Sequence, residues 1–278
     1  SYKGRYTITG TTRYEGTNRL GRTRKARWLP TWNISGAWNA HSEDFFEKQH
    51  LLSHLTLKGS YSLVGVAPSW VTNSRAIIYS RAAWRPSAGQ SENRNYIGSF
   101  ENEDLTYEKK HELNFGVDMG LLKNRLNIAA DIYWRNNFDL IGAAYTIGGT
   151  RWGNVASMKS HGFELSVSTK NIQSKDFSWT TDFIFGSTFN KVTELDTKRN
   201  MFNFLTGNGF ARQGYPVRSL FSIPFTGLDD EGFPTFMVNG KEVTRRNYRD
   251  INFQQVDDLD FLKYEGSSEP TYNGSFGN

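Results

Sequence analysis

The most constraining feature of this sequence is a two-residue alternation of apolar and polar side chains that runs through long segments. In 2–15, one face carries residues such as Tyr6 and Ile8, and the other carries charged or hydroxyl residues such as Arg13. A two-residue period indicates a β-strand with one apolar face. This segment is longer than an ordinary globular strand and fits a tilted strand that crosses a membrane.

The same alternation predicts seven strands, and one or two more after Val217. The seven lie near 2–15, 28–39, 55–63, 112–119, 126–135, 163–168 and 177–185. Two connections are tight, at 121–125 and 171–176, whereas those at 66–108 and 194–213 are long. Short turns at one edge and long loops at the other are typical of outer-membrane barrels. A soluble β-sandwich usually has shorter and more even connections.

The composition favours a membrane barrel over a helical membrane protein. Aromatic residues make up 15% of the chain, yet its mean hydropathy is −0.60. No run of about 20 apolar residues occurs, as a membrane-spanning helix requires. Strands with one lipid face and one lumen face reconcile these values. Tyr14, Trp28, Trp38 and Trp134 lie near strand ends, as in interfacial aromatic belts, although they could instead fill a soluble core.

The composition also excludes several kinds of chemistry. The chain has no Cys, so thiolate metal sites, disulfide frameworks and Cys nucleophiles are excluded. Its net charge of +5 is spread along the chain, which favours a polar lumen and loops over a nucleic-acid surface. The five His residues are scattered, and His111-Glu112 lacks the second His of a zinc-protease motif, since residue 115 is Phe. We expect no enzyme, no metal and no cofactor.

Two acidic segments, 229–232 and 257–260, are the remaining candidates for metal binding. Their carboxylates could hold Ca²⁺, but neither segment has the spacing of an EF-hand. Solvated loops are the interpretation that we adopt. A glycan hydrolase would need two carboxyl groups about 5–10 Å apart, and sequence spacing alone does not identify such a pair.

Short motifs rich in glycine and aromatic residues follow one another along nearly the whole chain. They lie at 4–6 with 13–21, 28–30 with 35–38, 55–61, 105–109, 115–118 with 124–126 and 131–133, 154–156 with 162–165, and 227–232 with 266–276. In this order they resemble the SusC/RagA-like TonB-dependent transporters. The departures are mild: 15–18 reads Glu-Gly-Thr-Asn where the family has Asp-Gly-Ser-Ser, and Leu20 replaces a common Phe.

The resemblance implies an all-β fold, a transmembrane antiparallel β-barrel in the bacterial outer membrane. Residues 1–278 would supply roughly eight of its about 22 strands. The motifs match the C-terminal portion of the barrel, and the family's plug domain and final strands have no counterpart among them. We therefore expect 1–278 to be one piece of a larger barrel.

The resemblance also implies the function and the partners. The whole protein would import a nutrient, an oligosaccharide or a peptide. It would act with a SusD-like surface lipoprotein, and with TonB through the missing N-terminal region. The remaining barrel and plug, and membrane lipid or lipopolysaccharide, would be its other partners, whereas nucleic acid would not. The alternatives are a passive porin or adhesin barrel and a soluble carbohydrate-binding β-sandwich.

Two sets of residues are candidates for contacting a transported ligand. Aromatic residues in the long connections could stack on a ligand, or could pack the loops together: Trp70, Tyr79, Trp84, Tyr96 and Trp152. Charged residues on the polar sides of the strands are expected to face the lumen: Arg13, Lys58, Asp118, Asp131, Arg135 and Glu164.

Overall fold

The computed structural model describes residues 1–278 apart from 47–50, 72, 74–75, 86–89, 148, 198, 245, 248 and 250–258. For 76–77, 79, 81–85, 90–94, 96 and 145 it describes the backbone alone. No helix within the described residues is long and apolar enough to span a membrane.

Strands make up most of the described chain. In chain order they are β1 (Tyr6–Gly16), β2 (Trp28–Asn39), β3 (Leu52–Val66), β4 (Ala76–Arg85), β5 (Gln90–Phe100), β6 (Glu108–Leu121), β7 (Leu126–Thr146), β8 (Gly149–Gln173), β9 (Ser178–Leu195), β10 (Ser219–Ser222), β11 (Phe225–Leu228), β12 (Pro234–Val238), β13 (Lys241–Val243), β14 (Lys263–Ser267) and β15 (Tyr272–Gly277). The short helical segments are α1 (Arg24–Arg27), a 3₁₀ turn (Ala40–Ser42) and α2 (Met201–Phe204).

Eight long or membrane-facing strands form one antiparallel sheet in the order β1-β2-β3-β6-β7-β8-β9-β15. Its first seven members are the seven strands predicted from the alternation. After Val217 the sequence predicted one or two strands, whereas the described residues form six, β10 to β15, of which β15 joins this sheet. The β4–β5 hairpin adjoins β8 through one parallel pair, Phe100 opposite Arg151.

The connection at 66–108 is long, as predicted, but the sequence did not predict the hairpin of β4 and β5 within it. Strands β7 and β8 also continue well beyond their predicted limits, to Thr146 and back from Gly149. We attribute both errors to one cause. Beyond the membrane the two faces of a strand are no longer divided between lipid and lumen, so these segments lack the strict alternation by which a membrane strand is recognised.

The two ends of the sheet differ in their connections. At one end, β6 joins β7 through 122–125 and β8 joins β9 through 174–177; we call this the turn end. At the opposite end, the loop end, 67–107 and 196–271 carry additional strands and helices. In outer-membrane barrels the short turns are periplasmic and the long loops are extracellular.

The strand register places one continuous apolar surface on one face of the sheet. In an antiparallel pair, directly opposite residues share a face. Followed across β1 to β15, this rule collects the residues that we call the apolar band: Tyr6, Ile8, Ile34, Trp38, Leu55, Leu57, Tyr61, Leu113, Phe115, Val117, Met119, Leu121, Leu126, Ile128, Ala130, Ile132, Trp134, Phe163, Leu165, Val167, Phe183, Phe185, Phe189, Tyr272 and Phe276. We call the opposite side the polar face.

The height of the apolar band matches a membrane. In β6 it extends from Leu121 to Leu113, which is about 27 Å along the strand. A strand tilt near 40° reduces this to about 21 Å across the bilayer, close to the roughly 25 Å apolar band of outer-membrane barrels. The register shifts among these eight strands lie at the edge of the band, as between Leu52 and His54, or beyond it, as between Lys170 and Ile172. The band therefore keeps a single face.

No second protein layer covers the band in the described part of the chain. Ile8 is 79% exposed, Phe276 is 71% exposed and Ile34 is 53% exposed. The two clusters of buried apolar residues lie instead in the loop-end segments, around Leu105 and around Phe204. Contact with lipid is the environment in which such a surface is stable, because an exposed apolar area of this extent would aggregate in water.

A polar cluster ties the start of β1 to the end of β2 at the turn end. The Glu43 carboxylate accepts hydrogen bonds from the Tyr6 hydroxyl (2.6 Å) and the Trp38 indole N–H (3.1 Å), and it pairs with the Arg5 guanidinium (2.8 Å). The hydrogen bond from Tyr6 is the main cause that lowers the pKa of Glu43. The cluster anchors these aromatic rings at the border of the apolar band, where interfacial aromatic residues are found.

Close packing on the polar face joins β7, β8 and β9. Tyr133 is only 3% exposed and its hydroxyl lies 2.8 Å from the Thr188 hydroxyl. Its ring lies over Gly162, its directly opposite residue on β8. A Cβ atom on Gly162 would lie 2.4 Å from the Tyr133 hydroxyl oxygen and 2.4 Å from the Ser187 carbonyl oxygen. The glycine is therefore required for this fit.

We expect Val117→Arg to destabilise the full-length receptor in lipid vesicles by about 2–4 kcal/mol, because it places a charge in the middle of the apolar band. Denaturant unfolding in vesicles measures this. Asn114→Arg on the polar face of the same strand is the control and should change stability much less. Equal losses for the two variants would contradict the assignment of faces.

Gly162→Ala should destabilise the barrel by about 1–3 kcal/mol, because the new methyl group overlaps Tyr133 and backbone. Thermal unfolding of the full-length receptor, followed by its heat-dependent gel mobility, gives the comparison. Gly10→Ala is the matched control, since a Cβ there would have nothing within 4 Å. A Gly162→Ala protein as stable as the control would show that Tyr133 moves aside at little cost.

Candidate functional site

The polar face brings together the six charged residues that the sequence singled out. The alternation along each strand and the register between strands place each of them on the side of the sheet away from the apolar band. They are Arg13 on β1, Lys58 on β3, Asp118 on β6, Asp131 and Arg135 on β7, and Glu164 on β8. Their shared face is thus a property of the sheet. Their role toward a ligand remains a prediction.

Near the turn end, the charges of the polar face are mainly negative. Lys58 forms an ion pair with Asp118 on the neighbouring strand. Asp131 lies directly opposite Glu164 and extends over Gly116, where a Cβ would be 2.4 Å from its Oδ1 atom. Two carboxylates directly opposite each other repel. This pair can therefore attract a cationic group.

Nearer the loop end, the charges are paired and of both signs. Glu112 binds the Lys110 ammonium at 2.5 Å and the Arg135 Nε at 3.1 Å. The Arg135 guanidinium also lies 3.9 Å from the centroid of the Tyr133 ring. Sequence reasoning missed Glu112 and Lys110 as members of this group. The signal that could have found them is register, because Glu112 is directly opposite Arg135.

Arg13 stands apart from the other predicted charges. It lies on β1, which is an edge strand in the described sheet, and its guanidinium contacts Glu15 at 3.2 Å. Its side chain is 75% exposed. An ion pair with such an exposed partner contributes little stability, so the Arg13 side chain remains available to solvent or to a ligand.

Two of the five candidate aromatic residues meet at the loop end. The rings of Trp70 and Trp152 are 5.0 Å apart in an edge-to-face arrangement. Trp70 is 60% exposed, whereas Trp152 packs on the buried cluster that includes Val71 and Leu105. Trp152 thus packs loop-end segments together, which was the alternative interpretation for these aromatic residues. The ring of Trp70 beside it is exposed.

The other three candidate aromatic residues lie on the β4–β5 hairpin. Tyr79 and Tyr96 are opposite each other in the backbone register, and Trp84 is opposite Ser91. Their side chains lie outside the part of the chain that the structure describes. These three residues thus lie in the long connection at 66–108, as expected, but on strands within it, whereas the expectation was wrong for Trp152, which lies on β8.

Asparagine side chains hold the loop-end segments together. Asn73 and Asn102 bond reciprocally: the Asn73 amide donates to the Asn102 carbonyl oxygen (2.7 Å), and the Asn102 N–H donates to the Asn73 side chain (3.0 Å). Asn154 accepts from the Thr106 N–H (3.0 Å) and donates to the carbonyl oxygens of Thr106 (2.9 Å) and Asp139 (2.6 Å). In these segments, hydrogen bonds from side chains take the place of the backbone hydrogen bonds that join neighbouring strands.

A small apolar cluster lies beneath these hydrogen bonds. It comprises Leu20, Leu29, Val71, Leu105 and Tyr107. We call this cluster and the residues around it, 17–27, 67–71, 73 and 101–107, the loop-end cap. Burial raises the pKa of Tyr107, whose hydroxyl donates to the Arg27 carbonyl oxygen at 3.2 Å. The cap therefore holds Trp152, and through it Trp70, in a fixed position.

The acidic segment at 229–232 forms the turn between β11 and β12. The Asp229 Oδ1 atom accepts from the backbone N–H groups of Glu231 (3.0 Å) and Phe233 (2.9 Å). Gly232 has a φ of +82° within this turn. Asp229 thus has a local structural role, in agreement with a solvated loop. In the second segment, 250–258 lie outside the described residues, and Asp260 pairs with Arg212 at 2.5 Å.

These features together define a class of protein. An antiparallel sheet with a membrane-high apolar band, a charged opposite face, tight turns at one end and a folded cap at the other is the wall of an outer-membrane β-barrel. A family model described as TonB dependent receptor-like, beta-barrel matches residues 1–275. The chain belongs to this family, whose members are outer-membrane β-barrel proteins.

Individual relatives confirm the resemblance to SusC/RagA-like receptors. TonB-dependent receptor P3 of Formosa agariphila is 25% identical over 245 residues, which are 84% of this chain and 24% of that protein. TonB-dependent receptor SusC of Bacteroides thetaiotaomicron is 26% identical over 203 residues, 70% of this chain and 20% of SusC. The chain thus spans about a quarter of the length of the curated relatives that it matches, and these relatives are receptors, not enzymes.

Solved structures confirm the fold. A structure of the RagAB peptide transporter matches with a TM-score of 0.74 and 24% sequence identity, over 98% of this chain and 29% of that chain. A structure of the RagAB peptide importer in the closed-closed state matches with a TM-score of 0.76 and 23% identity. The alternative of a soluble β-sandwich is thereby excluded.

We expect Asn154→Ala to loosen the loop-end cap, because it leaves the Thr106 N–H and two carbonyl groups without their partner. Hydrogen exchange of the full-length receptor, read in peptides that cover 101–107, should become about 5- to 100-fold faster. Asn127→Ala, which removes one bond to Asn124 at the turn end, should not affect these peptides. Unchanged exchange in 101–107 would show that the apolar cluster alone fixes the cap.

Proposed function

We propose that this chain forms part of the wall of a TonB-dependent transporter that imports peptides through the outer membrane together with a SusD-like surface lipoprotein. The observation that carries the proposal is the polar face, where carboxylates and cations occur together behind a lipid-facing band. A peptide carries charges of both signs and can form ion pairs with such a wall, whereas a neutral oligosaccharide can only hydrogen-bond to it. The similarity to structures of the RagAB peptide transporter supports the same choice.

The edges of the sheet support a larger barrel. Within the described residues, β1 and β15 each pair on one side only. An unpaired strand edge in lipid leaves backbone N–H and C=O groups unsatisfied, each at a cost of several kcal/mol. We infer that further strands of the whole protein pair with both edges and close the barrel, so that the polar face lines its lumen. A plug in that lumen would be the element on which TonB acts.

An oligosaccharide is the second candidate substrate, and the Trp70–Trp152 pair favours it. An exposed aromatic ring beside a second ring is a suitable surface for stacking on a sugar. The same rings can bind an aromatic or aliphatic side chain of a peptide. The two candidates therefore differ in how strongly binding depends on the charges of the polar face.

The assembly is tested by extraction of the native protein from outer membranes in mild detergent, followed by mass spectrometry of the intact complex and its subunits. We expect this sequence within a chain several times longer, bound to a second, lipidated subunit. Recovery of a lone 31.8 kDa protein without detergent would contradict the proposal.

The substrate class is tested with the same purified complex, a pool of peptides and a pool of oligosaccharides. We expect peptides with basic residues to bind, and Asp131→Asn with Glu164→Gln to weaken them about tenfold, which corresponds to 1.4 kcal/mol. Asp176→Asn with Asp230→Asn removes the same charge in solvent-exposed segments and is the control.

A different pattern would favour the second candidate. If oligosaccharides bind, if Trp70→Ala weakens them, and if the two carboxylate substitutions leave their affinity unchanged, the peptide assignment is wrong. Trp179→Ala at the turn end is the control for loss of an aromatic residue.

A further inference from the structure

On β6 to β9 the outward face changes character abruptly at the loop-end border of the apolar band, whereas on β2 and β3 the row level with His111 is still apolar, with Trp32 and Leu63. Its last apolar or aromatic row across β6, β7, β8 and β9 is Leu113, Trp134, His161 and Phe189. The next row, two residues further along each strand, is His111, Asn136, Lys159 and Lys191. This border row contains nitrogen-bearing side chains and no carboxylate.

Two lysines of the border row are directly opposite each other. Lys159 on β8 pairs with Lys191 on β9 in the register, so that their Cβ atoms are about 5 Å apart. Both residues are exposed, and neither has an ion-pair partner among the described residues. Like charges in this arrangement destabilise a sheet unless an anion lies between them. The pair is therefore a candidate anion site.

A cavity of about 380 Å³ lies beside the lysine pair. It is lined by Tyr61, His111, Leu113, Trp134, Asn136, Lys159 and His161, among others. The His111 ring is stacked between Tyr61 and Phe138, with centroids 5.6 and 5.5 Å away. The cavity thus has a rigid aromatic side toward the band and a polar, cationic side toward the loop end.

The nearest carboxylate along β9 does not neutralise the lysines. Glu194 lies three residues beyond Lys191, and its Oε2 atom accepts a hydrogen bond from the Ser157 hydroxyl at 2.9 Å. It forms no ion pair among the described residues. The two ammonium groups therefore keep their charge available for an external anion.

The position of the site identifies the anion. Long loops are extracellular in outer-membrane barrels, so this border faces the headgroup level of the outer leaflet. Basic residues at a membrane surface attract anionic lipid headgroups. We propose that Lys159 and Lys191 bind a phosphate group of an outer-leaflet lipopolysaccharide, with the adjoining sugar in the cavity and the acyl chains on the apolar band below.

A lipid phosphate explains more of the site than a free phosphate does. A free phosphate would neutralise the lysines but would leave the aromatic side of the cavity and the band beneath it uncovered. One lipopolysaccharide molecule can contact all three surfaces at once. The site lies outside the barrel wall, so it is independent of the substrate proposed above.

The test uses the full-length receptor in detergent and native mass spectrometry, with diphosphorylated lipid A as the probe. We expect Lys159→Gln with Lys191→Gln to weaken lipid A binding about tenfold. Lys159→Arg with Lys191→Arg should retain binding. Lys170→Gln with Lys175→Gln, near the turn end, makes the same change of net charge and should leave lipid A binding unchanged. Heat-dependent gel mobility verifies that each variant is folded.

Two further probes identify the group that is recognised. Lipid A without phosphate should bind the wild-type receptor about as weakly as lipid A binds the double Gln variant, and millimolar inorganic phosphate should not displace lipid A. The proposal is overturned if the double Gln variant binds like wild type, or if the turn-end control loses as much affinity. Complete displacement by inorganic phosphate would indicate a simple anion site instead. None of these outcomes bears on peptide import.

Discussion

The structure depends on one constraint: in lipid, every backbone N–H and C=O must find its partner within the sheet, while one face of that sheet stays apolar. A slip of one residue between two strands would turn a whole strand's apolar side chains toward the polar side. Here the apolar side chains stay on one face from β1 to β15, and the register shifts lie at the edge of the apolar band or beyond it, as at Lys170 and Ile172. The band is continuous because irregularity is confined to the parts of the strands that leave the membrane.

Beyond the band, a different set of interactions maintains the fold. The segments at the loop end have water around them, so their sequences lose the alternation, and their backbone groups are satisfied by side chains. Asn73, Asn102 and Asn154 supply many of these bonds, and the small cluster around Leu105 and Tyr107 excludes water beneath them. The loop-end cap thus has a small apolar core of the kind found in soluble proteins. Trp152 packs against this core, and Trp70 contacts Trp152.

The two faces of the sheet divide the chemistry between them. On the polar face, the carboxylate pair of Asp131 and Glu164 and the paired group around Glu112 form a wall with charges of both signs. On the outward face of the described strands, Lys159 and Lys191 lie at the border of the band, at the headgroup level. The same strands therefore present one surface suited to a transported ligand and another suited to the surrounding lipid.

The sequence by itself determined the membrane strands, because apolar and polar residues alternate along each of them. The same alternation assigned Lys58, Asp131 and Glu164 to the polar sides of their strands. The ordered motifs determined the family. Only the tertiary structure revealed the β4–β5 hairpin and the length of β7 and β8, because beyond the membrane these strands are not divided between a lipid face and a lumen face and so lack strict alternation. It alone brought Trp70 to Trp152, Glu112 to Arg135 and Lys159 to Lys191. These residues are distant in sequence, and the register that makes them neighbours is fixed by strand pairing.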